Sequence, residues 1–284
     1  MLFATLSISS SWYFAHNVAV LLWLLFIYEF LTNSRRWTLG LLAGLLLATR
    51  TPAGLGAIFL ITVNQITLAN SNEERIKRAF RAIVATPIPV IVLLLLLYNF
   101  LRFGNPLEFG YSGGFQTLSD FLAKARDYGT FSLAHLPGNL YYALLSTPLP
   151  VFRDDISHVL APPYLKANPW GISIFITSPY LFYLFTISYK DRISKIFLAT
   201  TSLIALLVFT YYGIGFLQFG YRYALDFFPL LFVLLVKNYH QRHLNLSSTF
   251  KTVIIISAIL NLIWILYLYN VDSVVNYINQ NNCF

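Results

Sequence analysis

The stretch Tyr13-Phe-Ala-His-Asn-Val-Ala-Val-Leu-Leu-Trp-Leu-Leu-Phe-Ile-Tyr-Glu-Phe-Leu31 decides the class of this protein. An α-helix rises about 1.5 Å per residue and a bilayer's hydrocarbon core is about 30 Å thick, so a run of about this length can cross it. Further apolar runs follow at 38–49, 53–69, 83–101, 170–188, 196–213, 223–236 and 252–270. Of 284 residues, 57% are hydrophobic and 11% charged. Average soluble domains hold roughly 45–50% apolar and 25% charged residues, so the natural solvent for these side chains is lipid. The expectation is an all-α polytopic integral membrane protein of about eight membrane-embedded helices. Residues 1–101 hold the N-terminal membrane helices, 102–169 an extracytoplasmic loop region of short helices, and 170–284 the C-terminal helices and a short tail.

The run 38–49 is too short to span, and Arg50-Thr51-Pro52 separates it from the next. Proline disfavours helix at the residue before it, so this reads as a broken hairpin. Four loops are basic: Arg35 and Arg36; Arg75, Lys77, Arg78 and Arg81; Lys190, Arg192 and Lys195; Lys237, Arg242 and Lys251. If 38–49 and 53–69 form one hairpin, all four fall on one side, which the positive-inside rule makes cytoplasmic. The chain is then a multi-pass protein of the plasma membrane, with 102–169 outside. Met1-Leu2-Phe3-Ala4 carries no leading charged segment, which leads us to expect a fragment or a shortened gene.

The net charge of +8 follows from those loops and not from a basic, aromatic-lined face, so nucleic acid is not an expected partner. Cys283 is the single cysteine, which excludes an intramolecular disulfide, and no Cys/His metal spacing is present. Gly40 and Gly44 form a GxxxG pattern suited to close helix packing. Asn245-Leu-Ser247 matches a glycosylation acceptor but falls on the cytoplasmic side.

Ionisable groups beside apolar segments are costly and point to function. Arg50 at the break, Arg222 and Asp226 straddling the start of a membrane segment, and Glu108 in the loop all fall on the outer face. An arginine there can hold a phosphate with its planar fork of donors, or it can reach the headgroups or a carboxylate. Arg222 and Asp226 stand four apart, so an ion pair within one helical turn is the alternative for them. Glu108 and Asp226 are the weak candidates for a general base, His16 can bond a sugar or phosphate, and Glu29 pairs with Arg35 or Arg36. Asp154 and Asp155 read as a solvated loop rather than a cation site.

The strings ATRTPA (48–53), YNFLRFGNPLEFGY (98–111) and QFGYRYALDFFP (218–229) resemble stretches of the GT-C membrane glycosyltransferases, especially bacterial relatives of the dolichyl-phosphate-mannose protein mannosyltransferases. The resemblance implies transfer of a sugar from a polyprenyl-phosphate-linked donor to a protein, lipid or glycan acceptor, with inversion and without a nucleotide cofactor; it leaves a divalent metal open. It implies that Arg50 and Arg222 bind the lipid phosphate, that Tyr111 and Tyr223 line the substrate pocket, and that Glu108 or Asp226 orients substrate; His16 joins the substrate pocket by its own hydrogen-bonding chemistry. The family's catalytic base lies in a first extracytoplasmic loop, and no acidic residue precedes Glu29 here. The competing class is a non-catalytic membrane protein of envelope-glycan assembly, or a transporter of lipid-linked glycan; a transporter would show an internal repeat and mid-bilayer polar groups, and neither is evident.

Overall fold

The computed structural model describes residues 11–110, 120–216 and 218–269. The first apolar run forms α1, Ser11–Leu31. Its end is made by its own side chains. The Thr32 and Ser34 hydroxyls donate back to the Tyr28 and Phe30 carbonyls, at 2.7 and 2.8 Å, and Ser34 turns the chain at φ 52°. Glu29, 4% exposed, accepts two guanidinium bonds and the backbone N–H of Arg35, each at 2.9 Å.

Helices α2 (Arg36–Thr49) and α3 (Thr51–Thr67) meet at a single extended residue, Arg50, with φ −143° and ψ 101°. Pro52 sits in the first turn of α3, where a missing N–H costs no hydrogen bond. The two helices fold back on each other so closely that a Cβ on Gly54 would lie 2.2 Å from the Leu47 backbone. Ser71 then caps α4 (Asn72–Val84) by accepting from the Glu74 N–H at 3.2 Å, while the Glu74 carboxylate accepts from the Asn70 N–H at 2.8 Å. This is close to a capping box, and it starts a strongly amphipathic helix. Helix α5 (Ile88–Phe103) ends on Gly104 in the left-handed region.

Residues 120–185 form a layer of short pieces. They are α6 (Asp120–Arg126), a helical run from Leu133 to Leu145 containing α7 (Leu136–Leu140), the hairpin β1 (Leu149–Phe152) with β2 (Leu160–Lys166), α8 (Ile174–Thr177) and a 3-10 helix, Pro179–Phe185. The strands are antiparallel, with Leu149 opposite Lys166 and a register shift between Pro150 and Phe152. Helix α9 (Arg192–Phe209), the 3-10 turn Arg222–Asp226, α10 (Phe228–Arg242) and α11 (Ser248–Tyr269) complete the chain.

Trp23, Phe26, Leu46, Leu60, Phe197, Ile204, Leu230 and Leu234 fill the core between α1, α2, α3, α9 and α10. Small residues let these helices approach. A Cβ on Gly56 would meet Ile204 at 2.4 Å, and one on Gly44 would meet Ile91 at 2.2 Å. Where lipid replaces water, van der Waals packing of this kind, rather than transfer from water, holds helices together.

The helical character follows the sequence, but eight membrane segments do not. Among the described residues two helices, α1 and α9, are long and apolar enough to cross a membrane, and α4 with α5, bent by 52°, would make a third as one broken span. The run 170–188 is the clearest departure: Ser173 caps α8 by accepting from the Phe175 N–H, and Pro179 follows Ser178, so only α8 and the 3-10 turn form. The run 223–236 likewise starts as 3-10, because Pro229 fixes the first turn of α10 no earlier. The loop 102–169 holds the unforeseen β-hairpin besides short helices.

The four basic loops gather at one end of the bundle. Arg36 lies beside Lys77, Arg78 and Arg81; Arg192 donates to the Thr67 hydroxyl at 3.2 Å; Lys237 bonds Asp191 at 2.7 Å; Arg242 donates to the Thr186 carbonyl at 2.6 Å. Burial alone would raise the Asp191 carboxyl, but Lys237 and the Ser194 hydrogen bonds outweigh it and hold the pKa at about 2. A carboxyl depressed in the folded state stabilises above its unfolded value of 3.8, and that contribution disappears as pH falls through about 2. The melting-temperature advantage of the native chain over Asp191→Asn is therefore expected at pH 7 and reduced progressively below pH 4, as measured by thermal unfolding in detergent. Gly54→Ala is expected to cost about 1–3 kcal/mol through collision with Leu47, whereas Gly104→Asn, at φ +72° with open space around it, is expected to cost less than about 1 kcal/mol; chemical denaturation in micelles compares them.

Candidate functional site

At the end opposite the basic loops, the break at Arg50 meets the 3-10 turn before α10. The extended backbone of Arg50 points its side chain out of the hairpin, where Nε donates to Asp226 Oδ1 at 3.0 Å and Nη2 to Oδ2 at 2.7 Å. This bidentate fork is the geometry in which guanidinium and carboxylate bond most strongly. Asp226 is completely buried and the Arg50 side chain 19% exposed. His16, one turn into α1 and 1% exposed, places Nδ1 3.5 Å from Asp226 Oδ1, too long for a well-formed hydrogen bond.

Tyr223 stands between two cations. The Arg50 guanidinium lies 5.5 Å from its ring centroid and the Arg222 guanidinium 5.3 Å, while Arg222 also covers Tyr13 at 4.9 Å. The His16 ring meets Tyr223 edge-on at 5.7 Å. Cation–π contacts of this kind are worth about 0.5–2 kcal/mol each, depending on desolvation. Two guanidiniums thus share a largely buried cluster with one carboxylate. No acidic side chain pairs with Arg222 among the described residues, and its Nε and His16 Nδ1 are buried without a hydrogen-bond partner. A positive cluster flanked by aromatic rings and holding an unsatisfied donor has the chemistry to meet an anion carrying an apolar or sugar face.

The segment that delivers Arg222 and Asp226 is clamped by the layer of short pieces. Ile172 N–H donates to the Phe219 carbonyl at 3.1 Å and Tyr221 N–H to the Ile172 carbonyl at 3.2 Å. Gln218 bridges three strands of chain: Nε2 donates to the Trp170 and Ile214 carbonyls at 2.7 and 3.0 Å, and Oε1 accepts from the Arg222 N–H at 3.2 Å. It fits only because residues 171 and 215 are glycines, since a Cβ on either would fall within 2.9 Å of its amide. Asn139, fully buried, donates to the Phe209 and Tyr211 carbonyls at the end of α9 and accepts from the Tyr221 hydroxyl at 2.8 Å.

The structure therefore brings together His16, Arg50, Arg222, Tyr223 and Asp226 of the residues chosen from sequence. Asp226 bonds Arg50 across the fold, not Arg222 one turn away. Tyr111 lies outside the described residues. Glu108 sits half-buried in the turn after α5, its N–H donating to the Asn105 carbonyl, and is not a hydrogen-bond or ion-pair partner of His16, Arg222 or Asp226. Asp154 accepts from the Ile156 and Ser157 N–H groups in a local turn, and Glu29 pairs with Arg35. Sequence reasoning did not single out Tyr13, Asn139, Gln218 or Tyr221. Tyr13 could have been found, since it stands three residues before His16 on one helix face, and Gln218 and Tyr221 lie in the quoted 218–229 string; nothing marks Asn139.

No protein-family model matches the chain, and neither a curated protein nor a solved structure matches it. The site is thus argued from its own geometry.

Removing one partner of a buried ion pair leaves the other charge uncompensated, at a cost of about 3–5 kcal/mol, whereas replacing both by apolar residues can be neutral. Arg50→Met is expected to destabilise by that amount, and Arg50→Met with Asp226→Leu to recover most of it. A double-mutant cycle on unfolding in detergent measures the difference.

Proposed function

We propose that the chain is a multi-pass plasma-membrane glycosyltransferase of the GT-C kind, binding a polyprenyl-phosphate-linked sugar at the Arg222 pocket on the extracytoplasmic face. The observation that carries the reading is Arg222 itself: a guanidinium stacked between Tyr13 and Tyr223, without a carboxylate partner among the described residues, and with a buried, unsatisfied Nε. The membrane setting is supported by α1 and α9 and by a belt of outward leucines and isoleucines, among them Leu21, Leu24 and Leu25 on α1, Leu93, Leu94 and Leu97 on α5, and Ile255, Ile259 and Leu262 on α11. By the positive-inside rule, the basic loops at the far end support an extracytoplasmic position for the Arg222 site and the loop 102–169.

In this scheme the acceptor oxygen attacks the sugar's anomeric carbon while the carbon–oxygen bond to the phosphate breaks, with inversion. The electron pair leaves on the phosphate, and Arg222 stabilises the growing charge as a preorganised donor. Arg50 contributes through the field of the pocket and through Tyr223, because both Asp226 oxygens hold its fork. Tyr223 and Tyr13 offer the rings, and His16 the polar edge, against which a sugar can lie. Asp226, so held, orients the cluster, and Glu108 stands apart from it; the acceptor's proton leaves with the departing phosphate, whose oxygens lie nearest the bond that breaks. The acceptor is a protein, lipid or glycan.

The commitment of Asp226 to Arg50 also favours a second reading, in which the pocket binds a lipid-linked glycan without transferring it. Proteoliposomes given a radiolabelled short-chain polyprenyl-phosphate sugar separate the two. Retention of the label with transfer to added acceptor supports the enzyme, retention without transfer supports the carrier, and no retention removes both. Arg222→Gln is expected to weaken retention at least tenfold, about 1.4 kcal/mol, and Tyr223→Leu to weaken it less.

A further inference from the structure

At the basic end, a cavity of about 310 Å³ opens between the start of α2, the end of α3 and α4. We infer that it is a binding site for the headgroup of an anionic phospholipid of the cytoplasmic leaflet, a site separate from the Arg222 pocket and independent of any sugar transfer. The volume falls at the lower end of small-ligand sites, roughly 300–1,000 Å³.

The charge of its wall selects the ligand. Arg36, Lys77, Arg78 and Arg81 line it against one carboxylate, Glu74. Arg78 is spent on Glu74 at 2.6 Å and Lys77 is paired with Glu73, one turn back. Arg36 and Arg81 have no ion-pair partner among the described residues, so two cations face the cavity uncompensated. Its wall also holds the Asn64 amide oxygen, buried without a hydrogen-bond partner. A phosphodiester satisfies the arginines, and a headgroup hydroxyl can satisfy Asn64. Phe30, Leu39 and Ile61 supply an apolar floor.

The exposed side of α4 decides between a lipid and a free phosphate. Ile76, Phe80 and Val84 recur every four residues and are 73%, 64% and 51% exposed. They form a stripe directly beside Lys77 and Arg81, so acyl chains can lie on it while the headgroup enters the cavity. An amphipathic helix with basic residues flanking an apolar stripe lies in the plane of a membrane interface, and basic pockets between helices on the cytoplasmic side bind anionic headgroups. The 52° bend between α4 and α5 turns α4 away from the direction of its neighbour, as that placement requires.

The full chain, purified in a neutral detergent, is titrated with dioctanoyl phosphatidylglycerol and with dioctanoyl phosphatidylcholine, and bound lipid is counted by native mass spectrometry. At least tenfold preference for phosphatidylglycerol is expected. Arg36→Gln with Arg81→Gln should abolish that preference, and neither change strands a carboxylate; Arg81→Gln alone, expected to reduce it several-fold, serves if the pair fails to fold. Ile76→Ser with Phe80→Ser should weaken lipid binding and leave competition by inorganic phosphate unchanged. Equal binding of the two lipids by the native chain, or full preference in the arginine variants, overturns the site. Complete displacement by millimolar inorganic phosphate, with no effect of the Ile76 and Phe80 changes, makes it a phosphate site and overturns the lipid. The assay contains no sugar, so its failure leaves the proposed function standing.

Discussion

The bond between Arg50 and Asp226 is the constraint on which the end of the molecule opposite the basic loops depends. A carboxylate with no exposed surface is stable only if its charge is met, and here one guanidinium meets both oxygens. The partners stand 176 positions apart, so the bond ties the break between α2 and α3 to the turn that precedes α10. With that turn fixed, Tyr223 comes to rest between Arg50 and Arg222, and His16 of α1 closes over the carboxylate. The cluster is a product of this one tie.

Two different chemistries occupy the two ends of the bundle. The Arg50 end concentrates its polarity in a few buried groups, supported by a layer that holds residues 218–226 in place through Gln218, Asn139 and the backbone bonds at Ile172. The other end spreads its charge over loops and closes itself with local pairs: Glu29 with Arg35, Asp191 with Lys237, Glu74 with Arg78. Between them the interior is apolar, and its small residues set how near the helices come. Gly54 against Leu47 and Gly56 against Ile204 are contacts a larger residue would prevent. Stability of the middle is thus a matter of packing, and specificity of the ends a matter of charge.

Much of this was legible in the chain. The 13–31 run became α1, the break expected at Arg50-Thr51-Pro52 falls on Arg50, Glu29 found Arg35, and the four basic loops meet at one end. These readings rest on local rules, in which hydrophobic length, proline sterics and nearby charge act within a few residues. Counting apolar runs failed where local rules compete: Ser173, Ser178 and Pro179 cut the 170–188 run into short turns, so length alone overstated the number of spanning helices.

By itself, then, the sequence determined that the protein is helical, that α1 and α9 suit a bilayer, and that charge divides between two ends, because composition and periodicity act without knowledge of distant neighbours. Only the tertiary structure decided that Asp226 takes Arg50 and not Arg222, that Arg222 is thereby left to the aromatic rings, and that Asn139 ends α9. A spacing of four made the Arg222–Asp226 pair reasonable on a helix, but residues 222–226 adopt a tighter 3-10 turn, which rotates the two side chains apart. Which charge neutralises which is settled by burial, and burial exists only once the chain has folded.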